Sequence, residues 1–341
     1  MTATKLNGRE LAQKIEQSLA PQVAEITQEI GRPPRLVVVL VGNVAASASY
    51  VKSKESAAKR VGITADVFSI PESVTTAELV ATVEAIGREE HGPADGILVQ
   101  LPLPDHVDSR IVLDAVPPDR DVDGFHAENA GLLSQGRPRF IPCTAAGVQK
   151  MILAAGVETR GKHVVIVGRS DIVGKPLALL LASRGPGGDA TVTLCHSHTF
   201  NLKAITQHAD ILVAAVGIPQ LITADMVKPS AVVIDVGINR IQEGDKSRLV
   251  GDVDYDTVVE VAAAVSPVPG GVGPLTVAML LENTVLAAKE RKKLLKTAKV
   301  ARFSACLAQV LQTTLPTKCV RVSARPKLYA KRVQPVIITD I

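Results

Sequence analysis

Residues 164–176 read Val164-Val165-Ile166-Val167-Gly168-Arg169-Ser170-Asp171-Ile172-Val173-Gly174-Lys175-Pro176. Four β-branched apolar residues run into a glycine. A polar turn and a second glycine then open the run Leu177-Ala178-Leu179-Leu180-Leu181. The pattern reads as a buried parallel strand, a tight turn and a helix whose N-terminus can receive a phosphate. Dinucleotide-binding folds hold a pyrophosphate at this place. The glycine spacing is not G-x-G-x-x-G, so strand–glycine–helix alone suits a structural α/β turn equally well.

Working outward, strand-like runs alternate with helical periodicity on both sides. Upstream, Leu11, Ile15, Leu19 and Val23 recur every four residues in a helix expected over Gly8–Ile30. Strands are expected at Arg35–Val41, Thr64–Ser69 and Gly96–Gln100, with helices at Ser49–Arg60 and Thr76–Glu89 between them. Downstream, strands are expected at Val164–Val167, Thr191–Cys195, Ile211–Ala214, Val232–Val236 and Ala264–Val265, then a helix from Pro274 to about Lys289. Such alternation implies parallel sheets, and 341 residues suit two domains with separate cores. The reading is a two-domain α/β fold with a cleft between the domains. An N-terminal catalytic domain covers 1–145, completed by the helix at 274–290, and a Rossmann-like domain covers 146–273.

Charge is unevenly distributed. From Lys289 onward, 13 Lys or Arg accompany 2 Asp or Glu, leaving 25 basic and 32 acidic residues in 1–288. The basic extension 291–341 is expected to continue the last helix and then become disordered. No apolar run approaches the roughly 20 residues of a membrane span, and the N-terminus lacks a signal-peptide core. The expectation is a cytoplasmic protein without membrane contact. Cys143, Cys195, Cys306 and Cys319 are scattered without a C-x-x-C pair, which argues against a zinc site or disulfide framework. His196 and His198 have no acidic neighbour in sequence, so no metal site is expected there.

Several residues carry candidate chemistry. Tyr50 and Lys54 lie four apart on an expected helix and share a face. A lysine on a helix is ordinarily a solvated surface residue. This one follows the C-terminal end of a parallel strand, where open α/β sheets bind ligands. Gln100 ends another apolar strand and reads as a capping amide or a ligand contact. Asp121 and Asp123 flank Val122 in a turn, where a carboxylate can accept paired N–H bonds from a heterocycle. The strand ending Leu194-Cys195-His196-Ser197-His198 lacks the acid that binds a free ribose 2′-OH. Arg169 and Ser197 suit a 2′-phosphate instead, which favours NADP over NAD. The segment Ser266–Thr276 is rich in Gly and Pro, permitting close backbone approach to a flat ligand.

Six ordered motifs between Leu6 and Ala288 resemble one family. They are Y-V-K-S-K at 50–54, V-Q-L-P-L-P at 99–104, D-V-D-G-F at 121–125, P-C-T at 142–144, G-R-S-D-I-V-G-K-P at 168–176 and P-V-P-G-G-V-G-P-L-T at 267–276. The chain is similar to the bifunctional methylenetetrahydrofolate dehydrogenases/methenyltetrahydrofolate cyclohydrolases. The resemblance implies NADP-dependent oxidation of 5,10-methylenetetrahydrofolate to the methenyl form, followed by hydrolysis to 10-formyltetrahydrofolate, a product used in purine biosynthesis. It implies Lys54 as the main proton-transfer residue, Gln100 as its positioning partner and Tyr50 as the packing surface for the aminobenzoyl ring. Asp123 would bind the pterin, with Gly270, Gly271 and Pro274 lining the folate cleft. Gly168, Arg169, Ser170, Gly174, Ser197 and Ile238 would hold NADP, and a homodimer is implied.

The chain departs from the family pattern in three places. The loop before Tyr50, including Ala45, lacks a common Asp-Pro; Ala145 replaces a proline; His198 stands where Lys or Arg is usual. Two competing readings remain: a dehydrogenase without the hydrolytic step, against which Lys54 and Gln100 count, and a nucleic-acid binder working through the basic tail. The tail has Phe303 and Tyr329 for base stacking but no recognisable module, so no nucleic-acid partner is expected.

Overall fold

The computed structural model describes residues 2–42, 45–243 and 246–314. The elements run β1 (Thr4–Lys5), α1 (Gly8–Ile30), β2 (Arg35–Val41), α2 (Ala45–Val61), β3 (Thr64–Ile70), α3 (Thr76–Gly87) and β4 (Gly96–Val99). Three helices follow: α4 (Ser109–Asp114), α5 (Ala127–Ser134) and α6 (Cys143–Ala154). Then come β5 (His163–Val167), α7 (Gly174–Ala182), β6 (Thr191–Cys195), α8 (Leu202–Thr206), β7 (Ile211–Ala214) and β8 (Val232–Asp235). The chain continues with β9 (Asn239–Glu243), β10 (Lys246–Val250), α9 (Tyr255–Val258), β11 (Ala264–Val265) and α10 (Val272–Thr314).

The first sheet is parallel, in the order β3-β2-β4. Its central strand is apolar from Leu36 to Val41 because both faces are covered. Leu36, Val38 and Leu40 enter a core with α1, α2 and α10. Val37, Val39 and Val41 enter another with Leu79, Val83 and Ile86 of α3. The second sheet is parallel, in the order β1-β11-β8-β7-β5-β6. Strand order reverses beside β5, so the switch point lies between β5 and β7, where this class of sheet takes its ligand. The two-domain α/β reading stands.

Two features differ from the sequence reading. Thr4–Lys5, read as part of the first domain, form β1 in the second sheet, with Thr4 N–H donating to Ala263 O at 2.8 Å. Two residues carry too little periodicity to reveal a strand. An antiparallel hairpin, β9–β10, was not anticipated; its exposed strands lack the apolar alternation that marks a buried one. Helix α10 runs past Lys289 to Thr314, so the basic extension continues the last helix as expected. Apolar periodicity fades there, but residues 275–315 contain neither Gly nor Pro and are rich in strong helix formers.

Residues 1–293 form one compact unit and 294–341 another. Within the second unit, 294–314 are helical. The expectation of disorder further along falls on 315–341, outside the described residues. Among the described residues, no helix is long and apolar enough to cross a membrane.

Helix α1 begins at Asn7, whose side chain accepts the Glu10 N–H. Its first residue, Gly8, is buried against the Gly270–Gly271 loop, and a Cβ at Gly8 would overlap the Gly271 carbonyl oxygen. Gly8→Ala should therefore cost about 1–3 kcal/mol through overpacking. Gly131→Ala in α5, where a Cβ meets nothing within 4 Å, should be neutral or stabilising by up to about 1 kcal/mol. Thermal unfolding of the two variants side by side measures the difference.

Candidate active site

Lys54 lies on α2, on the side turned toward the β2–β4 edge, and is only 6% exposed. A buried ammonium requires partners. Its Nζ donates to Gln100 Oε1 at 2.9 Å, while Gln100 Nε2 donates to Leu101 O at 2.7 Å. The second bond fixes the amide so that its oxygen faces the lysine. Gln100 is thus both capping amide and lysine partner.

Asp123 lies close enough for Lys54 to act on its titration. Burial pushes the Asp123 carboxyl above its usual range, with the Lys54 charge and the Cys143 thiol opposing and Asp121 adding to the rise. Paired N–H donors from a bound heterocycle would offset that desolvation. Asp121 has a different task. It accepts from His126 N–H and from Asn129 Nδ2, at 2.8 and 2.9 Å, and so shapes the turn. Cys143 is buried, and desolvation followed by the Asp123 charge drives its thiol pKa well up. It is inert rather than nucleophilic.

Tyr50, one turn before Lys54, lies on a cleft of about 480 Å³. The other walls are the Pro267–Pro274 segment, residues 235–238 and one face of α1. Tyr50, Ile238, Gly270, Gly271 and Pro274 are all brought together here. Burial raises the Tyr50 phenol above its ordinary pKa, keeping the ring neutral. Lys54, Gln100 and Asp123 form a neighbouring cluster and are not among the lining residues.

Apart from Ile238, which lies on the cleft after β8, the proposed cofactor residues gather at the ends of β5 and β6. Gly168 has φ of +127°, and a Cβ there would overlap the Ala215 carbonyl oxygen at the switch point; only glycine fits. Gly174 opens α7. Ser170 is exposed, and its Oγ accepts from Val173 and Gly174 N–H at 3.2 and 3.4 Å at the entry to α7. Arg169, Ser197 and His198 are exposed. Partial desolvation, then the Arg169 and His198 charges, lower the pKa of His196, so these groups share one patch. An open glycine turn beside an arginine and two imidazoles fits a dinucleotide bearing an extra phosphate.

Sequence reasoning missed a buried carboxylate pair. Asp235, at the end of β8, accepts from Gly237 and Asp252 N–H on Oδ1 and from Val253 N–H on Oδ2. Asp252 accepts from Val216, Gly217 and Asn239. Together they tie the turns after β7 and β8 to the end of the β9–β10 hairpin. An acid closing the apolar run Val232-Val233-Ile234 was the available signal. Ala145 is fully buried in α6. The loop departure before Tyr50 falls on 43–44 and on side chains outside the described residues. Among the described residues, no group of His, Cys, Asp and Glu is placed to hold a metal.

Comparison with known proteins agrees with this geometry. Residues 6–123 match the family model for the tetrahydrofolate dehydrogenase/cyclohydrolase catalytic domain, and 142–292 match that for its NAD(P)-binding domain. The bifunctional protein FolD of Rhodopirellula baltica is 52% identical, over 85% of this chain and 98% of the relative. The crystal structure of the bifunctional FolD enzyme from Campylobacter jejuni aligns with a TM-score of 0.79 at 42% identity, covering 85% of this chain and 99% of its own. The Trypanosoma brucei FolD structure, complexed with NADP and an inhibitor, aligns with a TM-score of 0.80 at 38% identity and the same coverage.

Burial raises Asp235 to about 7, against three backbone N–H groups that favour its charged form and with Asp252 adding to the rise. A raised acid pKa contributes stability that is full below the unfolded value near 4 and is lost as pH rises through 7. Asn at this position cannot accept on its nitrogen, so Asp235→Asn should cost about 1–3 kcal/mol. That cost should shrink between pH 4 and pH 8 as the wild type loses its own contribution. Urea unfolding at pH 5 and pH 8 reads both effects.

Proposed function

The chain belongs to the tetrahydrofolate dehydrogenase/cyclohydrolase family, and from that premise we propose how its residues carry the family's two reactions. It is an NADP-dependent methylenetetrahydrofolate dehydrogenase and methenyltetrahydrofolate cyclohydrolase. The buried Lys54–Gln100 pair beside Asp123 is the observation that carries the assignment of roles, because the hydrolytic step needs a held proton-transfer group.

Tyr50 stacks the aminobenzoyl ring against the Gly270–Pro274 wall, and Asp123 accepts N–H bonds from the pterin. The dehydrogenase step demands mainly alignment of the bridge carbon with the hydride acceptor. NADP⁺, when bound, supplies that acceptor; Gly168 gives its phosphates room, Arg169 and Ser197 take the 2′-phosphate, and Ile238 borders the cleft. In the hydrolytic step, water adds to the methenyl carbon. For this step Lys54 Nζ must first be the neutral amine, its ammonium proton given up to solvent. It then takes a proton from that water and passes it to the departing ring nitrogen, which restores the neutral amine, while Gln100 keeps the amine directed. We assign the domains as 1–145 with 274–290, and 146–273, working in the cytoplasm as a homodimer that supplies formyl groups for purine biosynthesis.

Purified protein should reduce NADP⁺ with methylenetetrahydrofolate. Lys54→Met should lose at least roughly a hundredfold of methenyltetrahydrofolate hydrolysis with its circular dichroism unchanged. Arg169→Ala should raise KM for NADP⁺ by about 10- to 100-fold, as loss of a charge-assisted bond requires, and leave that for NAD⁺ unaltered. Wild-type protein that reduces neither cofactor would refute the activity; full hydrolysis by Lys54→Met would refute the role of the lysine.

A further inference from the structure

The turns after β5 and β6 are fastened together. Gly168 N–H donates to Cys195 O at 2.9 Å, which sets Arg169 beside the loop 196–199. That loop is closed on itself: His196 N–H donates to Thr199 Oγ1 and Thr199 N–H to His196 O, both at 2.8 Å. The two imidazoles it carries meet edge to face, with ring centroids 6.1 Å apart. Their spacing is fixed by the loop, but the two rings are not equivalent.

His196 is held neutral by its own loop. Its Nδ1 accepts the His198 backbone N–H at 3.2 Å, so the neutral ring carries its proton on Nε2. A second proton would set N–H against N–H and break that bond. His198 is exposed, and among the described residues no hydrogen bond engages its ring nitrogens. Nothing in the loop therefore opposes a change in its charge.

No carboxylate among the described residues acts on His196; the charges that do are Arg169 and His198. Asp171, in the glycine turn, is paired with Lys175, and Lys203, in α8, with Asp225. Cys195 is buried and its thiol pKa is raised, so it stays neutral. The patch is a guanidinium, a neutral imidazole and an imidazole that can charge, and an anion is the ligand it lacks.

We propose that His198 makes the selection of NADP over NAD proton-linked: its imidazolium, beside Arg169, binds the 2′-phosphate, and the neutral ring does not. This rests on the NADP reading given above and adds to it a dependence on pH. A bound anion favours the charged ring, so binding takes up a proton where a free imidazole is neutral. Discrimination is fullest below the ordinary imidazole value of about 6.5 and is lost as pH rises above it. The phosphate works the other way, but its second pKa lies near 6, so it is already mostly dianionic over this range.

The test measures kcat/KM for NADP⁺ and for NAD⁺ between pH 6.5 and pH 8.5 in wild type, His198→Lys and His198→Gln. The ratio of the two cancels any general loss of activity. In wild type it should fall by roughly 5-fold across this range. His198→Lys should hold it high and nearly flat, and His198→Gln low and nearly flat. Calorimetry of NADP⁺ binding at pH 7.5, in buffers of different ionisation enthalpy, should show a proton uptake by wild type that His198→Lys lacks. A flat wild-type ratio, absence of proton uptake, or a slope that survives in either variant overturns the proposal. Equal use of NADP⁺ and NAD⁺ by wild type at pH 6.5 overturns the NADP reading instead.

Discussion

Two helices are shared between the hydrophobic cores, and the cleft exists because of that sharing. Helix α1 places Leu19, Val23 and Ile26 in the core under the first sheet and Ala12 in the core under the second. Helix α10 does the same with Leu281 and Val285 on one side and Leu275 and Ala278 on the other. Fully burying a side chain of this size is worth about 1.5–3 kcal/mol, so neither sheet can shift without exposing residues that also stabilise its neighbour. Asn283 adds a polar fastening at the same seam, donating to Val122 O and Ile141 O at 2.8 and 3.0 Å. The Asp121–Asp123 turn and the entry to α6 are thereby held against α10.

Around that seam, the working groups obey one rule: each polar atom taken from water is given a partner. Lys54 has Gln100, and Gln100 has a backbone carbonyl. Asp235 and Asp252 between them collect five backbone N–H groups and one side-chain amide. Such networks are costly to leave half-made, which restricts the turns they tie to one conformation.

Much of the architecture could be read directly from the chain. Helix α1, strand β2, strand β6 and strand β7 match the expected bounds, because strong periodicity or continuous β-branched runs mark them. The strand–glycine turn–helix at Gly168 was legible as such, while its spacing alone left the cofactor and the structural readings open. Ser170 was expected at the cofactor, and in the structure its hydroxyl accepts N–H bonds at the entry to α7. A short β1, the exposed β9–β10 hairpin and the Asp235–Asp252 pair were not legible, since each depends on a partner distant in sequence.

The sequence by itself determined that parallel sheets form, that a glycine turn meets a helix, and which residue types are available for proton transfer and phosphate binding. These follow from local periodicity and from sterics at single positions. The Lys54–Gln100 pairing was implied by the family resemblance, but only the tertiary structure decided its geometry, a 2.9 Å bond across 46 positions. It alone also decided that Asp123 lies near that lysine and that Arg60 is taken by Glu16. Those outcomes depend on distances between side chains far apart in the chain. Packing of the shared helices sets such distances, and no local pattern encodes them.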